Sequence, residues 1–156
     1  MEAQPFVVEE YVRWSDVDHA GIIFYGAYVR FFEMAETELF RTAGVPYGVV
    51  FDKFDMWLPR VHLDCDFMHP ARLDDRLKVA AYFTRFGRTS IATTFDVMHS
   101  ETKRLTAVGH EVLVCTDRDT LKPRDVPGLL QTMLRPFTLS EEAAREQLGV
   151  SLPVRR

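Results

Sequence analysis

The chain of 156 residues has only two cysteines, Cys65 and Cys115, each inside an apolar or alternating stretch. So few exclude a disulfide-stapled scaffold and lead us to expect a reduced pair and a cytoplasmic setting. Long apolar runs are also missing. The longest nearly uncharged one, Ala20 to Val29, falls far short of the ~20 residues a membrane-spanning helix needs, so no membrane insertion is expected. The N-terminal MEAQPFVVEE lacks an apolar run after a basic start and does not read as a secretory signal. Positive charge is not in excess: 19 Lys+Arg stand against 23 Asp+Glu, a net −4. That removes the broad cationic field of a general nucleic-acid binder and leaves room only for local basic patches. Repeats and low-complexity segments are absent as well. What remains, 47% apolar and 12% aromatic residues, is enough to build a core.

The pattern along the chain is α+β. Residues 6–14 (FVVEEYVRW) read as a first strand. From Tyr28 the period changes: Tyr28, Phe31, Phe32, Ala35, Leu39 and Ala43 recur at three and four, which sets one apolar stripe along a long helix. Arg30, Glu33, Glu36, Thr37, Glu38 and Arg41 fall on the other face, and Gly44 with Pro46 ends the helix. Met34 and Phe40 lie off the stripe, so the helix should be surrounded on most sides. A helical turn is expected near 48–54. Four strands follow at 56–69, 75–86, 89–100 and 104–117, joined by short polar links that suit antiparallel hairpins. The tail from 127 to 156 reads as helical and peripheral, with Ser140 as a cap. The layout is one domain over 1–156, with a core over about 6–127: an antiparallel sheet wrapped around a central helix.

Chemistry concentrates in Asp16-Val-Asp18-His19-Ala20-Gly21-Ile-Ile-Phe24-Tyr25-Gly26-Ala27-Tyr28. A carboxylate pair precedes a glycine turn, an apolar plug and a helix start. The N–H groups of a helix's first turn have no internal partner and carry the positive end of its dipole. A carbonyl docked there would be polarised, and a nearby carboxylate could attack it or activate water toward it. The plainer alternative is that Asp16 and Asp18 only cap a turn.

The run D-x-D-x-x-G-x-x-x-Y-x-x-Y followed by FFE resembles the hotdog-fold acyl-CoA thioesterases, specifically the 4-hydroxybenzoyl-CoA thioesterase group. PARLDD at 70–75, RFGRTS at 85–90 and TDRDTLKPRDVP at 116–127 extend the likeness over about 6–127. The resemblance implies that Asp18 is the catalytic nucleophile or general base and that the Tyr25 amide polarises the thioester carbonyl. Asp16, Gly21 and Tyr28 would support them. Arg88, Thr89 and Ser90, with Arg85, would meet coenzyme A, which is part of the substrate, so no cofactor is implied. Homodimers or homotetramers with sites at subunit interfaces are implied too. A non-catalytic acyl-CoA-binding module on the same fold is the alternative. Tyr25 departs from the histidine common in the Tol–Pal branch and matches the aromatic-acyl branch, while Ala27 fits neither.

Other groups carry less. His62, Asp64, Cys65, Asp66 and His69 are dense in ligating types, but on a strand they point to opposite sides, so no metal site is expected. Glu33 and Glu36 are expected on a solvated or interface face. Cys65 and Cys115 lack a dedicated base and read as small buried hydrophobes.

Overall fold

The protein is described by a computed structural model over residues 2–150. Five strands form one antiparallel sheet: β1 (Phe6–Tyr11), β2 (Arg60–Phe67), β3 (Arg76–Phe86), β4 (Ser90–His99) and β5 (Leu105–Val114), in the order β1-β3-β4-β5-β2. Helix α1 (Tyr28–Thr42) connects the two edge strands by crossing one face of this sheet. α2 (Tyr47–Phe54), α3 (Gly128–Leu134) and α4 (Glu141–Leu148) complete the regular elements.

The apolar stripe of α1 decides the core. Phe31, Phe32, Ala35 and Leu39 pack onto Leu77, Val79, Ala81 and Phe83 of β3 and onto Ile91, Phe95 and Val97 of β4, all buried. Phe32 stacks on Phe95 at 4.7 Å. That close approach needs Gly109: a Cβ there would stand 2.5 Å from the Phe32 ring. Phe40, off the stripe, is fully buried between Phe83 and Tyr47, so the helix is indeed enclosed on a second side by α2.

The structure departs from the sequence reading at β1, at β2, at the end of β5, which stops at Val114 and not at 117, and in the tail. β1 stops at Tyr11, and Trp14–Asp16 coil into a 3-10 turn because the Asp16 carboxylate accepts the Arg13 N–H at 2.8 Å and folds the chain back. The strand expected over 56–69 starts only at Arg60, since Pro59 has no N–H for a ladder; Trp57 keeps an isolated bridge to Thr116. The tail is not peripheral. Leu130, Leu134 and Ala144 are fully buried, and α4 covers the outer sheet face, where Leu148 packs near Ala80, Met98, Leu105 and Val108. Asp96, fully buried on that face, holds α4 down through Arg145 at 3.0 Å and accepts the Tyr82 hydroxyl at 2.7 Å. Ser140 caps α4 as expected, its hydroxyl accepting the Ala143 N–H. The part of the expected tail beyond 150 lies outside the described residues.

Candidate active site

Between β1 and α1 the chain makes a miniature hairpin. Val17 bridges Ile23, the Asp18 N–H donates to the Ile22 carbonyl, and Gly21 closes the turn by donating to the Asp18 carbonyl at 2.9 Å. Gly21 sits at φ +72 with open space around it, so its backbone conformation, not crowding, calls for glycine. The hairpin is pinned to the sheet by Ile22 against Arg72 and by the Ile23 N–H on the Ala71 carbonyl.

The two aspartates have different environments. Asp16 is 2% exposed and lies in a fork of Arg30, at 2.6 and 2.9 Å, with the Arg13 N–H on the same carboxylate. Burial alone would raise its pKa, but the Arg30 and Arg13 hydrogen bonds outweigh it and hold the carboxyl below the usual range. Asp16 is thereby an ionised carboxylate paired with Arg30. Asp18 is exposed, with one oxygen accepting the Ala20 N–H at 2.8 Å and the carboxylate otherwise facing a cleft formed with Trp14, Val17, His19 and Leu73.

Tyr25 opens a 3-10 turn, Tyr25–Ala27, that runs straight into α1. The first N–H groups of such a turn lack an intrahelical acceptor, and neither Phe24 nor Ala27 supplies a side-chain cap. The Tyr25 ring is 81% exposed. It borders a second cleft of about 340 Å³, lined also by Ile22, Ile23, Phe67 and Met68. Tyr28 lines this second cleft and is buried, its ring 5.8 Å from Phe67. Burial pushes its phenol upward.

The residues expected to meet coenzyme A stand elsewhere in the chain. Arg85, Arg88, Thr89 and Ser90 surround the β3–β4 hairpin. Arg88 is exposed and paired with Asp125 at 2.5 Å. The Thr89 carbonyl accepts the Cys115 N–H at 2.7 Å, and the Ser90 hydroxyl fills the turn, 2.5 Å from where a Cβ on Gly87 would be. β3, with 11 residues, separates this corner from the Asp18 hairpin, a separation of roughly 30 Å at ~3.3 Å per residue. The chain by itself therefore does not bring the two groups together.

Several residues depart from the sequence reading or were missed by it. Glu33 is exposed, but Glu36 is 2% exposed, against the solvated or interface face expected for both. Glu36 is buried because Tyr47 and Arg60 reach it from α2 and β2. Glu111 is close by on β5, where burial together with the Glu36 carboxylate pushes its pKa up. Arg30, His19 and Trp14 adjoin the Asp18 hairpin and were not singled out for it, whereas His69, weighed among the ligating types near β2, borders the Tyr25 cleft. A helix arginine 14 residues from a buried aspartate was a readable signal only for Arg30. On β2, His62 and Asp64 are bonded to each other at 2.9 Å, and Asp64 to His110 at 2.8 Å. Among the described residues no group of three or more His, Cys, Asp or Glu side chains is arranged to hold a metal ion. Both cysteines are free; burial lifts Cys115 and, with Asp66 and Asp64, lifts Cys65 to about 11, so neither is an activated nucleophile. Among the described residues no helix is long and apolar enough to cross a membrane.

Comparison with known proteins places this architecture. A profile of the Thioesterase superfamily matches residues 20–106. The acyl-CoA thioester hydrolase YbgC of Escherichia coli O157:H7 is 31% identical over 117 residues, covering 74% of this chain and 85% of that protein. The 1,4-dihydroxy-2-naphthoyl-CoA hydrolase of Synechococcus elongatus is 24% identical over 125 residues, covering 80% of this chain and 90% of that one. Among solved structures, a 1,4-dihydroxy-2-naphthoyl-CoA thioesterase from Synechocystis superposes with a TM-score of 0.78 at 24% identity, over 84% of this chain and 96% of that one. A mutant 4-hydroxybenzoyl-CoA thioesterase complexed with 4-hydroxybenzoyl-CoA gives 0.77 at 21%, over 85% and 99%. With the sheet wrapped on α1 and these likenesses together, the chain belongs to the thioesterase superfamily, as a thioester hydrolase on the hotdog fold.

Proposed function

We propose that the protein hydrolyses an acyl-CoA thioester carrying an aromatic or short acyl group, with Asp18 as nucleophile or general base and the Tyr25 N–H polarising the carbonyl. The observation that carries this reading is the contrast within the acidic pair: Asp16 is buried and paired with Arg30, whereas Asp18 presents its carboxylate to an open cleft, on the hairpin that leads into the Tyr25 turn. In the reaction, the thioester oxygen docks on the unpartnered Tyr25 N–H. Asp18 either takes the proton of a water as that water attacks the carbonyl carbon, or attacks the carbon itself to form an acyl anhydride that a water then hydrolyses, freeing the acid and the Asp18 carboxylate. The tetrahedral oxyanion stays on the Tyr25 N–H until the C–S bond breaks; the departing thiolate of coenzyme A takes up the proton held by Asp18 in the first route and one from water in the second. One such donor contributes about 3 kcal/mol to barrier lowering.

The reading includes a second copy of the chain. β2 is an edge strand with Val61 60%, Leu63 46% and Phe67 58% exposed, an unpartnered apolar ladder. Antiparallel pairing of β2 with its copy exchanges its ends. The Arg60 end, which adjoins Trp57, Thr116 and the Thr89 corner, then comes against the partner's Phe67 end, next to Tyr28 and Tyr25. Pairing in this way would carry Arg85, Arg88, Thr89 and Ser90 across to the other protomer's Asp18, as a long coenzyme A ligand requires.

The test is free-thiol release from benzoyl-, hydroxybenzoyl-, phenylacetyl-, short-chain and long-chain acyl-CoA by the wild type and Asp18→Asn. Release concentrated on the aromatic or short members and lost in the variant supports the proposal. Tight acyl-CoA binding with no release would instead make the protein a binding module.

A further inference from the structure

The cleft below Tyr25 has an apolar and aromatic wall of Ile22, Ile23, Tyr28, Phe67 and Met68, and one imidazole, His69, opens into it. The backbone aims that imidazole. The N–H groups of Met68 and His69 both donate to the Thr106 carbonyl, at 2.9 and 3.2 Å, so two residues oppose one where β2 ends. This bulge-like arrangement re-aims a side chain at the edge of a sheet. Pro70, next in the chain and without an N–H, stops the ladder there. The His99 ring stands edge-on to His69 at 6.1 Å, with its Nε2 3.8 Å from Asp75. Burial, with Arg104, His99 and Arg72 nearby, holds the His69 imidazole below its ordinary pKa, so at neutral pH it offers one donor and one acceptor nitrogen.

We infer that His69 is the specificity-determining residue of this cleft, hydrogen-bonding a hydroxyl substituent on the acyl group that the apolar wall encloses. The inference rests on the hydrolase reading above, with the carbonyl at Tyr25 and the acyl group extending into the adjoining cleft. A polar group set in an apolar wall discriminates strongly, because a substrate lacking the matching hydroxyl leaves the imidazole desolvated and unpaired. An acyl group of the same shape without the hydroxyl gains only the apolar contacts.

The experiment compares kcat/KM for 4-hydroxybenzoyl-CoA and benzoyl-CoA in wild type, His69→Phe and His69→Gln, each checked for an unchanged thermal midpoint. The wild type should favour the hydroxylated substrate at least ~10-fold, His69→Phe should bring the ratio close to one mainly through KM, and His69→Gln should retain part of it. A structural role alone would lower both substrates together and leave their ratio unchanged, and that result overturns the inference. So does a wild type with no preference for the hydroxyl. Absence of thiol release from every acyl-CoA would instead remove the hydrolase reading on which the inference stands.

Discussion

Arg60→Met provides a sharp test of the packing beneath α1. Glu36 is 2% exposed, and its charge is met by Arg60 and the Tyr47 hydroxyl, while its second oxygen has no partner. Arg60 also reaches Glu111 at 3.1 Å. Removing one partner of a buried ion pair costs about 3–5 kcal/mol, because the other charge stays buried and unpaired. The Arg60 side chain is 39% exposed, so water enters when it is lost; the lower end, about 3 kcal/mol, is the appropriate figure. For a chain of this length that corresponds to a thermal midpoint lower by roughly 6–12 °C. Glu36→Gln alone should cost less, about 1 kcal/mol, since Arg60 keeps Glu111 and solvent. The double variant should then be more stable than the sum of the singles by about 2 kcal/mol. Urea unfolding at neutral pH, repeated at several protein concentrations because β2 borders the proposed dimer seam, measures all three. An Arg60→Met loss under ~1 kcal/mol, or strict additivity in the double variant, would refute the reasoning.

Two further outcomes follow from the same structure. Gly109→Ala should cost about 1–3 kcal/mol in thermal or urea unfolding, because the added methyl meets the Phe32 ring at 2.5 Å; an unchanged midpoint contradicts the close approach of α1 to β5. His110 stands between Asp64 at 2.8 Å and Glu141 at 2.6 Å, one on each ring nitrogen, an arrangement that only the imidazolium satisfies fully. Burial alone would lower its pKa, but the hydrogen bonds to Asp64 and Glu141 outweigh it and raise it. A raised folded pKa means the stabilisation is complete below about 6.5 and is lost as pH rises through the folded value. The wild type should therefore lose more midpoint between about pH 6 and 9 than Glu141→Gln does. Parallel profiles would show that His110 does not latch α4 to β2.

How much of this was readable from residues alone depends on the range of each interaction. α1 was legible because its stripe repeats within one helix and Gly44 ends it at φ +86. The alternation of Leu77, Val79, Ala81 and Phe83 likewise announced the inner face of β3. Glu36 was misplaced because its partners arrive from α2 and β2, so a helical wheel saw only a polar residue on a polar face. Trp14 looked like strand by composition, yet the Asp16 carboxylate on the Arg13 N–H turned the chain first. The packing of α4 was hidden for a similar reason: Asp96 gives no local sign that Arg145 will answer it across the sheet. The dense Asp16–Tyr28 segment was readable as chemistry, but the different environments of its two aspartates rest on Arg30. His69 read as a strand end, and only the pairing of Met68 and His69 with one carbonyl turns it toward the cleft.

A comparison of kcat and KM between wild type and Asp18→Asn on the best acyl-CoA substrate tests most directly whether Asp18 is the nucleophile or general base. Asparagine keeps the shape and the Ala20 contact but cannot take a proton or attack. We expect kcat to fall by about three orders of magnitude or more, with KM within a few-fold and the thermal midpoint unchanged. A variant with kcat within ~10-fold of the wild type would contradict the account and place the activating group elsewhere.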